Sequence, residues 1–224
     1  MMPNDKITFT LLADGSSDKV LIHIIRWLLN DLYPKMTVSL QFADFTAWRD
    51  PPKTLKEKIF LAYENYPCDV LFIHRDAEKN DQELIQERKR EVANANPEDK
   101  SNIIVVVVPI RMTEAWLLID AEAIKKAAGN RHYKGKIVLP RLKDIEKEND
   151  PKKYLLDLLK EASGLKGRQL SNFNGYQAIH WVAEYIETFE PLRELHAFKI
   201  LEKDLKTAIG RLFNNNTFLY INSV

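Results

Sequence analysis

The run Ile103-Ile-Val-Val-Val-Val108 is the feature that most restricts the fold of this chain. Six consecutive β-branched residues cannot form a strand with one wet face. They suit a sheet buried on both sides, and such sheets are mostly parallel with helical crossovers. Three earlier segments read as strands of the same kind: Ile7 to Ala13, Met36 to Phe45 and Asp69 to His74. Met36 to Phe45 alternates only in part (Val38, Leu40, Phe42), as expected nearer an edge.

Helical patterns separate the four runs. Ser17 to Asp31 places Val20, Leu21, Ile24, Ile25, Leu28 and Leu29 on one side, the i, i+3, i+4 repeat of an amphipathic helix. Thr54 to Tyr66 and the strongly charged Asn80 to Ala95 supply two more. The order βαβαβαβ predicts an α/β fold with a largely parallel four-stranded sheet flanked by helices. Beyond Val108 the strand signal fades. Helices are predicted over 114–119, 121–128, 151–162, 176–189 and 198–213, with a polar loop at 129–135. Asn214 to Asn216 reads as a turn or frayed segment, and Phe218 to Ile221 as a short strand. Residues 1–120 are therefore expected to form the α/β core and 121–224 a helical extension packed on it.

Composition narrows the function classes. A net charge of +1 means that any nucleic-acid binding comes from a local patch. The single cysteine, Cys68, excludes an internal disulfide or a cysteine-cluster zinc site and reads as a small structural residue. No apolar stretch approaches the about 20 residues that span a bilayer. Asp5, Lys6 and Asp14 break up any signal-peptide core, so a cytoplasmic setting is expected. Nucleotide-binding glycine loops and Gly-x-Ser-x-Gly elbows do not occur in the sequence.

Acidic residues follow three of the predicted strands. Gly15, the only glycine in the first 128 residues, follows Asp14 and is expected to turn the chain between strand and helix. That turn leaves Asp14 at the carboxyl end of a strand, where open α/β sheets bind ligands. Asp76 and Glu78 follow the third strand, and an i, i+2 spacing points both carboxylates to one side of an extended segment. Glu114 follows the fourth. In a parallel sheet these ends share one edge, and gathered carboxylates repel unless a cation compensates them. Asp14, Asp76, Glu78 and Glu114 are thus candidate ligands for Mg2+ or Mn2+, with Asp14, Asp76 and Glu114 the candidate catalytic residues. Plainer readings stand beside these. Asp76 also reads as a helix cap, Asp14 as a turn aspartate, and Asp18, Glu78 and Glu114 as first-turn charges. His74, ending the third strand, is within reach of such a site.

Arg75 and Arg111 adjoin the acidic clusters and are candidate substrate-binding residues. Lys125 to Lys147 carries eight Lys or Arg against two acids, and Lys134 and Lys136 within it are candidates for tracking phosphates. The same run also reads as a solvated face.

The residues quoted also resemble a known family. Strand–Asp14-Gly15-Ser16-Ser17-Asp18–helix resembles the first TOPRIM motif, there Glu-Gly before a helix. Asp76-Ala77-Glu78 is similar to the TOPRIM Asp-x-Asp motif. Pro109 to Asp120, with Glu114-Ala-Trp-Leu-Leu-Ile-Asp120, looks like a motif of TOPRIM-like bacterial proteins distantly similar to RloB and OLD-type nucleases, and Pro191 to Phe198 is similar to that group as well. Asp14 stands where glutamate is usual, and Glu78 where the second aspartate is usual. The resemblance implies a TOPRIM-like core and cation-dependent phosphodiester hydrolysis, with nucleic acid as substrate. It also implies a role in anti-phage defence, with a companion defence protein as a further partner. The alternatives are a catalytically degenerate TOPRIM-like module that binds a partner protein or nucleic acid, and a phosphatase acting on small phosphate esters.

Overall fold

The computed structural model describes residues 6–77, 83–96 and 103–221, with side chains described as far as Phe213. Four strands, β1 (Lys6–Leu12), β2 (Thr37–Phe42), β3 (Val70–His74) and β4 (Ile103–Val107), form one sheet in the order β2-β1-β3-β4. Every pairing is parallel, so the chain is an α/β protein with a four-stranded parallel sheet. Helices α1 (Leu21–Leu32), α2 (Leu55–Asn65) and α3 (Glu83–Ala95) make the connections.

Strand parity sorts side chains onto two faces. Phe9, Leu11, Val70, Phe72, Val105 and Val107 belong to one core with the buried side of α1. Leu12, Leu71 and Ile73 belong to a second core with Ile59, Ala62 and Tyr63 of α2 and Val92 of α3. On α1, Leu21, Ile24, Ile25, Leu28 and Leu29 are fully buried. Each contributes about 1.5–3 kcal/mol relative to exposure. Cys68 is half-buried against the α2 core, and burial pushes its thiol above the ordinary value.

The remaining helices are α4 (Ala121–Ala127), α5 (Pro151–Ser163), α6 (Gly167–Ser171), α7 (Gly175–Tyr185) and α8 (His196–Ile221). They enlarge the α1-side core, to which Ile124, Leu155, Leu159, Ile179, Val182, Phe198, Leu201 and Leu205 all contribute. Trp116 seals the junction, with its ring 5.4 Å from that of Phe198 and edge-on to it. Among the described residues, no helix is long and apolar enough to cross a membrane.

Several sequence expectations are corrected. β4 is an edge strand of the described sheet. Val105 and Val107 are buried, but Ile104 and Val106 line a groove of about 560 Å³ between α3 and α8. The uninterrupted β-branched run therefore reflects two different neighbours, a packed core and a groove. The first helix opens as a 3-10 turn, Ser16–Val20, before α1. Only a 3-10 turn, Thr113–Leu117, covers the helix expected over 114–119. Helix α8 runs on through Ile221, replacing both the expected turn at Asn214 to Asn216 and the strand at Phe218 to Ile221. Residues 80–82 of the charged helix lie outside the described residues. Gly15 is extended (φ −138°), and a Cβ there would meet nothing closer than 3.6 Å, so its backbone does not demand glycine.

Candidate metal centre

Beyond β3 the extended chain continues. Arg75 N–H donates to Val107 O at 3.0 Å and Ala77 N–H to Pro109 O at 3.2 Å, prolonging the ladder with the chain after β4. Alternation therefore persists. His74 and Asp76 continue the Val70–Phe72 side, toward α1, while Arg75 continues the Ile73 side, toward α2 and α3. Asp14 likewise continues the Leu12 side. Its carboxylate meets Lys58 of α2 at 2.7 Å and Arg75 Nη1 at 2.6 Å.

Asp18 comes to the other side, from the 3-10 turn after β1. It is bound in both directions to Gly15: its N–H donates to Gly15 O at 3.3 Å, and its Oδ2 accepts from Gly15 N–H at 3.3 Å. Asp18 Oδ2 is 3.6 Å from His74 Nδ1, and Asp76 Oδ1 is 3.1 Å from His74 Nε2. Thr113 Oγ1 lies 3.2 Å from the same Nε2 and 3.4 Å from Asp18 Oδ1. Asp18, His74 and Asp76 each offer a ligand atom, all within 4.8 Å of one another.

Charge shapes this cluster. His74 is 2% exposed, and its Nδ1 makes no hydrogen bond among the described residues. Burial alone would lower its pKa, but the carboxylates of Asp18, facing Nδ1, and of Asp76, hydrogen-bonded at Nε2, outweigh that and push it up to about 9. Burial alone would raise Asp18, yet His74, the Gly15 amide and Thr113 hold it below the ordinary carboxylate value.

The cluster floors a cleft of about 360 Å³. Asp14, Arg75, Arg88 and Arg111 form its walls, closed by Met112 and Asn149. Arg75 is braced by Asp14 and by Glu91 at 3.4 Å, and Arg88 donates from Nε to Asp76 O at 3.0 Å. Arg111 has a left-handed backbone (φ 70°). Met112 N–H donates to Ile110 O at 3.1 Å across it, which makes a γ-turn of the rare, strained hand. Strain of this kind concentrates at functional sites and costs about 1–3 kcal/mol. Nε atoms of both Arg75 and Arg111 are buried without a hydrogen bond among the described residues.

The acids named from sequence are divided by the structure. Asp14 and Asp76 line the cleft with Arg75 and Arg111. Glu114 does not: its carboxylate, 7% exposed, pairs with Lys152 Nζ at 3.1 Å in a neighbouring crevice. It lies one residue beyond Thr113, which faces the cluster, and so turns away from it. Glu78 lies outside the described residues. Lys134 and Lys136 sit on an exposed loop and do not line the cleft. Other cations of that basic run are engaged locally, Lys125 with Glu122, and Arg141 and Lys147 with Asp144. Asp120, in the motif with Glu114, caps α4 by accepting from Glu122 and Ala123 N–H.

Two residues of the cluster were not assigned as ligands from sequence. Asp18 reads as a helix-start charge, and His74 only as a residue within reach. The usable signal was parity: His74 shares the face of Val70 and Phe72, toward which the helix carrying Asp18 must pack.

Comparison with known protein families, with curated proteins and with solved structures finds no match for this chain.

Proposed function

We propose that this protein is a divalent-cation-dependent phosphodiester hydrolase acting on nucleic acid, with Asp18, His74 and Asp76 as the cation-holding set. One observation carries the reading: three ligand-type side chains from two strand ends lie within 4.8 Å of one another, in a cleft walled by three arginines. The donors fit a cation. His74 Nδ1 is a buried polar atom without a hydrogen bond among the described residues, and it would bind a cation in exchange for the proton that the two carboxylates favour. Carboxylates alone suit magnesium, and an imidazole among them moves the preference toward manganese.

When bound, the cation would polarise a phosphate and offset charge on the attacking and leaving oxygens. The chain's own residues do the rest. Thr113 and the Gly15 amide orient the ligands through the hydrogen bonds already described. Arg75, Arg88 and Arg111 bring positive charge to phosphate oxygens, a task that suits the planar guanidinium. Asp14, outside the cation-holding set and paired with Lys58 and Arg75, holds Arg75 in the cleft wall. The motifs that resemble TOPRIM proteins support the same chemistry, and a defence role rests on that resemblance alone.

A second reading has one observation in its favour. His74, pushed up to about 9, already supplies a positive charge between the two carboxylates. On that reading the chain is a non-catalytic module that binds an anionic partner through its arginines.

Calorimetry with Mn2+, paired with cleavage assays on bis(p-nitrophenyl) phosphate and on DNA and RNA oligonucleotides, separates the two. Binding of about one cation that Asp76→Ala abolishes, with cleavage stopped by chelator, supports the hydrolase. If Mn2+ gives no binding heat while oligonucleotides still bind, the hydrolase reading fails and the module stands.

A further inference from the structure

A smaller crevice of about 200 Å³ adjoins the cleft. Three chain segments build both. The turn after β1 gives Asp14 and Asp18 to the cleft and Ser16 and Ser17 to the crevice. The segment after β4 gives Met112 to the cleft and Glu114 to the crevice. The segment entering α5 gives Asn149 to the cleft and Lys152 to the crevice. Whatever occupies the cleft therefore has the crevice as its immediate neighbour.

The far wall is α7, with Tyr176, Ile179 and His180. Tyr176 is 64% exposed, so most of its ring is accessible at the rim of the crevice. Lys152 Nζ lies over one face of the Tyr176 ring, 5.4 Å from its centroid, and is held there by Glu114 at 3.1 Å, so a base would stack on the opposite face. Ile179 is buried and gives the crevice an apolar floor. Ser16 and Ser17 add hydroxyl donors and acceptors. His180 lies in the pocket wall as well. Burial, followed by the charge of Lys19, keeps its imidazole below the ordinary value, so at neutral pH it is an uncharged ring with one donor and one acceptor.

An aromatic ring with an ammonium over one face and most of its surface in solvent, beside a few neutral hydrogen-bonding groups, forms an environment for a flat heterocycle attached to a phosphate. We propose that this crevice seats one unpaired nucleobase against Tyr176, so that the substrate of the adjoining cleft is single-stranded nucleic acid. The inference rests on the phosphodiester reading and makes it more specific. A base within a duplex is stacked on both sides and cannot turn its face to Tyr176. A single strand presents that face without cost, and stacking tolerates any base. The cleft then holds the adjacent backbone phosphate among the arginines.

Fluorescence anisotropy at fixed salt tests this with phosphorothioate-linked oligothymidine, oligouridine and a blunt DNA duplex. Tyr176→Ala should weaken single-strand binding about tenfold, the effect of losing one stacked base. Tyr176→Phe should keep it, since the ring remains. The ring is largely in solvent, so neither variant should unfold the protein, and circular dichroism checks this. Mn2+ affinity by calorimetry should be the same in wild type and both variants. Unchanged single-strand binding in Tyr176→Ala overturns the inference, as does duplex binding equal to single-strand binding. If either result accompanies intact Mn2+ binding, the hydrolase reading survives; loss of Mn2+ binding in the wild-type protein would remove that reading itself.

Discussion

Asp18 and His74 meet from two different strand ends, with Asp18 Oδ2 3.6 Å from His74 Nδ1. That approach, with Asp76 on the other ring nitrogen, makes His74 bind its proton more tightly in the folded chain than in the unfolded one. Its folded value is about 9 against an ordinary 6.5. The stability this adds is fully present below about pH 6.5 and is lost as pH rises through 9. Chelator-treated protein should lose about 2–3 kcal/mol between these limits in urea denaturation. His74→Gln should be less stable at neutral pH and should lack the alkaline slope. On the acid side the sign reverses. Asp18 is held below its ordinary value, so its contribution is present above the usual carboxylate range and disappears as pH falls through the lowered value.

Glu114 is buried beside Lys152 rather than beside the candidate ligands. Burial alone would lower the pKa of Lys152, but the charge and hydrogen bond of Glu114 outweigh it and raise the value. Glu114→Gln removes the charge that compensates this ammonium. Because Lys152 keeps 26% of its side chain exposed, the cost should be about 2 kcal/mol, less than for a fully buried pair. Mn2+ affinity should not change. A large fall in Mn2+ affinity, with stability intact, would return Glu114 to the ligand set.

Arg111 carries a left-handed backbone that a β-carbon disfavours. Arg111→Gly and Arg111→Ala both remove the guanidinium from the cleft, but only glycine relieves the turn. The glycine variant should be more stable than the alanine variant by about 1 kcal/mol in urea. Both should bind oligonucleotides more weakly than wild type. Equal stability of the two variants would mean that the turn holds no strain.

The parts of the fold legible in the sequence were those whose signal is local. The apolar side of α1, from Leu21 to Leu29, is buried as its spacing predicts. The four strands lie at the predicted runs because β-branched residues mark them wherever they pack. Sheet order is not a local property. Ile103 to Val107 reads as a strand buried on both faces, yet one of its faces meets a groove beside α8, an element about a hundred residues away. The candidate site was legible by location and not by membership. Acids at strand ends pointed to the right edge. What divides them is the direction each side chain takes after its strand, and for Glu114 its place one residue beyond Thr113 in the 3-10 turn. His74 was obscured for a related reason: a histidine closing a buried strand looks like core until the carboxylates on either side of it are known.

Asp14 and Asp18, four residues apart, turn to opposite sides of the sheet. Asp14 leaves β1 on the α2 side, where Lys58 and Arg75 take both its oxygens. Asp18 reaches the α1 side and faces His74. A carboxylate already engaged by two cations has little to offer a third, so Asp14→Asn should leave Mn2+ affinity within about twofold of wild type. Asp18→Asn removes a charged ligand and should weaken it by about tenfold or more. Their kinetic effects should also differ. Without Asp14, Glu91 is the one acidic brace of Arg75 among the described residues, so phosphodiester cleavage should fall at saturating Mn2+. Asp18→Asn should instead be partly rescued by raising the Mn2+ concentration. Calorimetry of the two variants side by side, followed by cleavage assays across a Mn2+ series, reads both effects. If Asp14→Asn loses the cation and Asp18→Asn keeps it, the centre lies on the α2 side of the sheet, and Asp18, His74 and Thr113 are then a buried hydrogen-bonded brace for the strand ends.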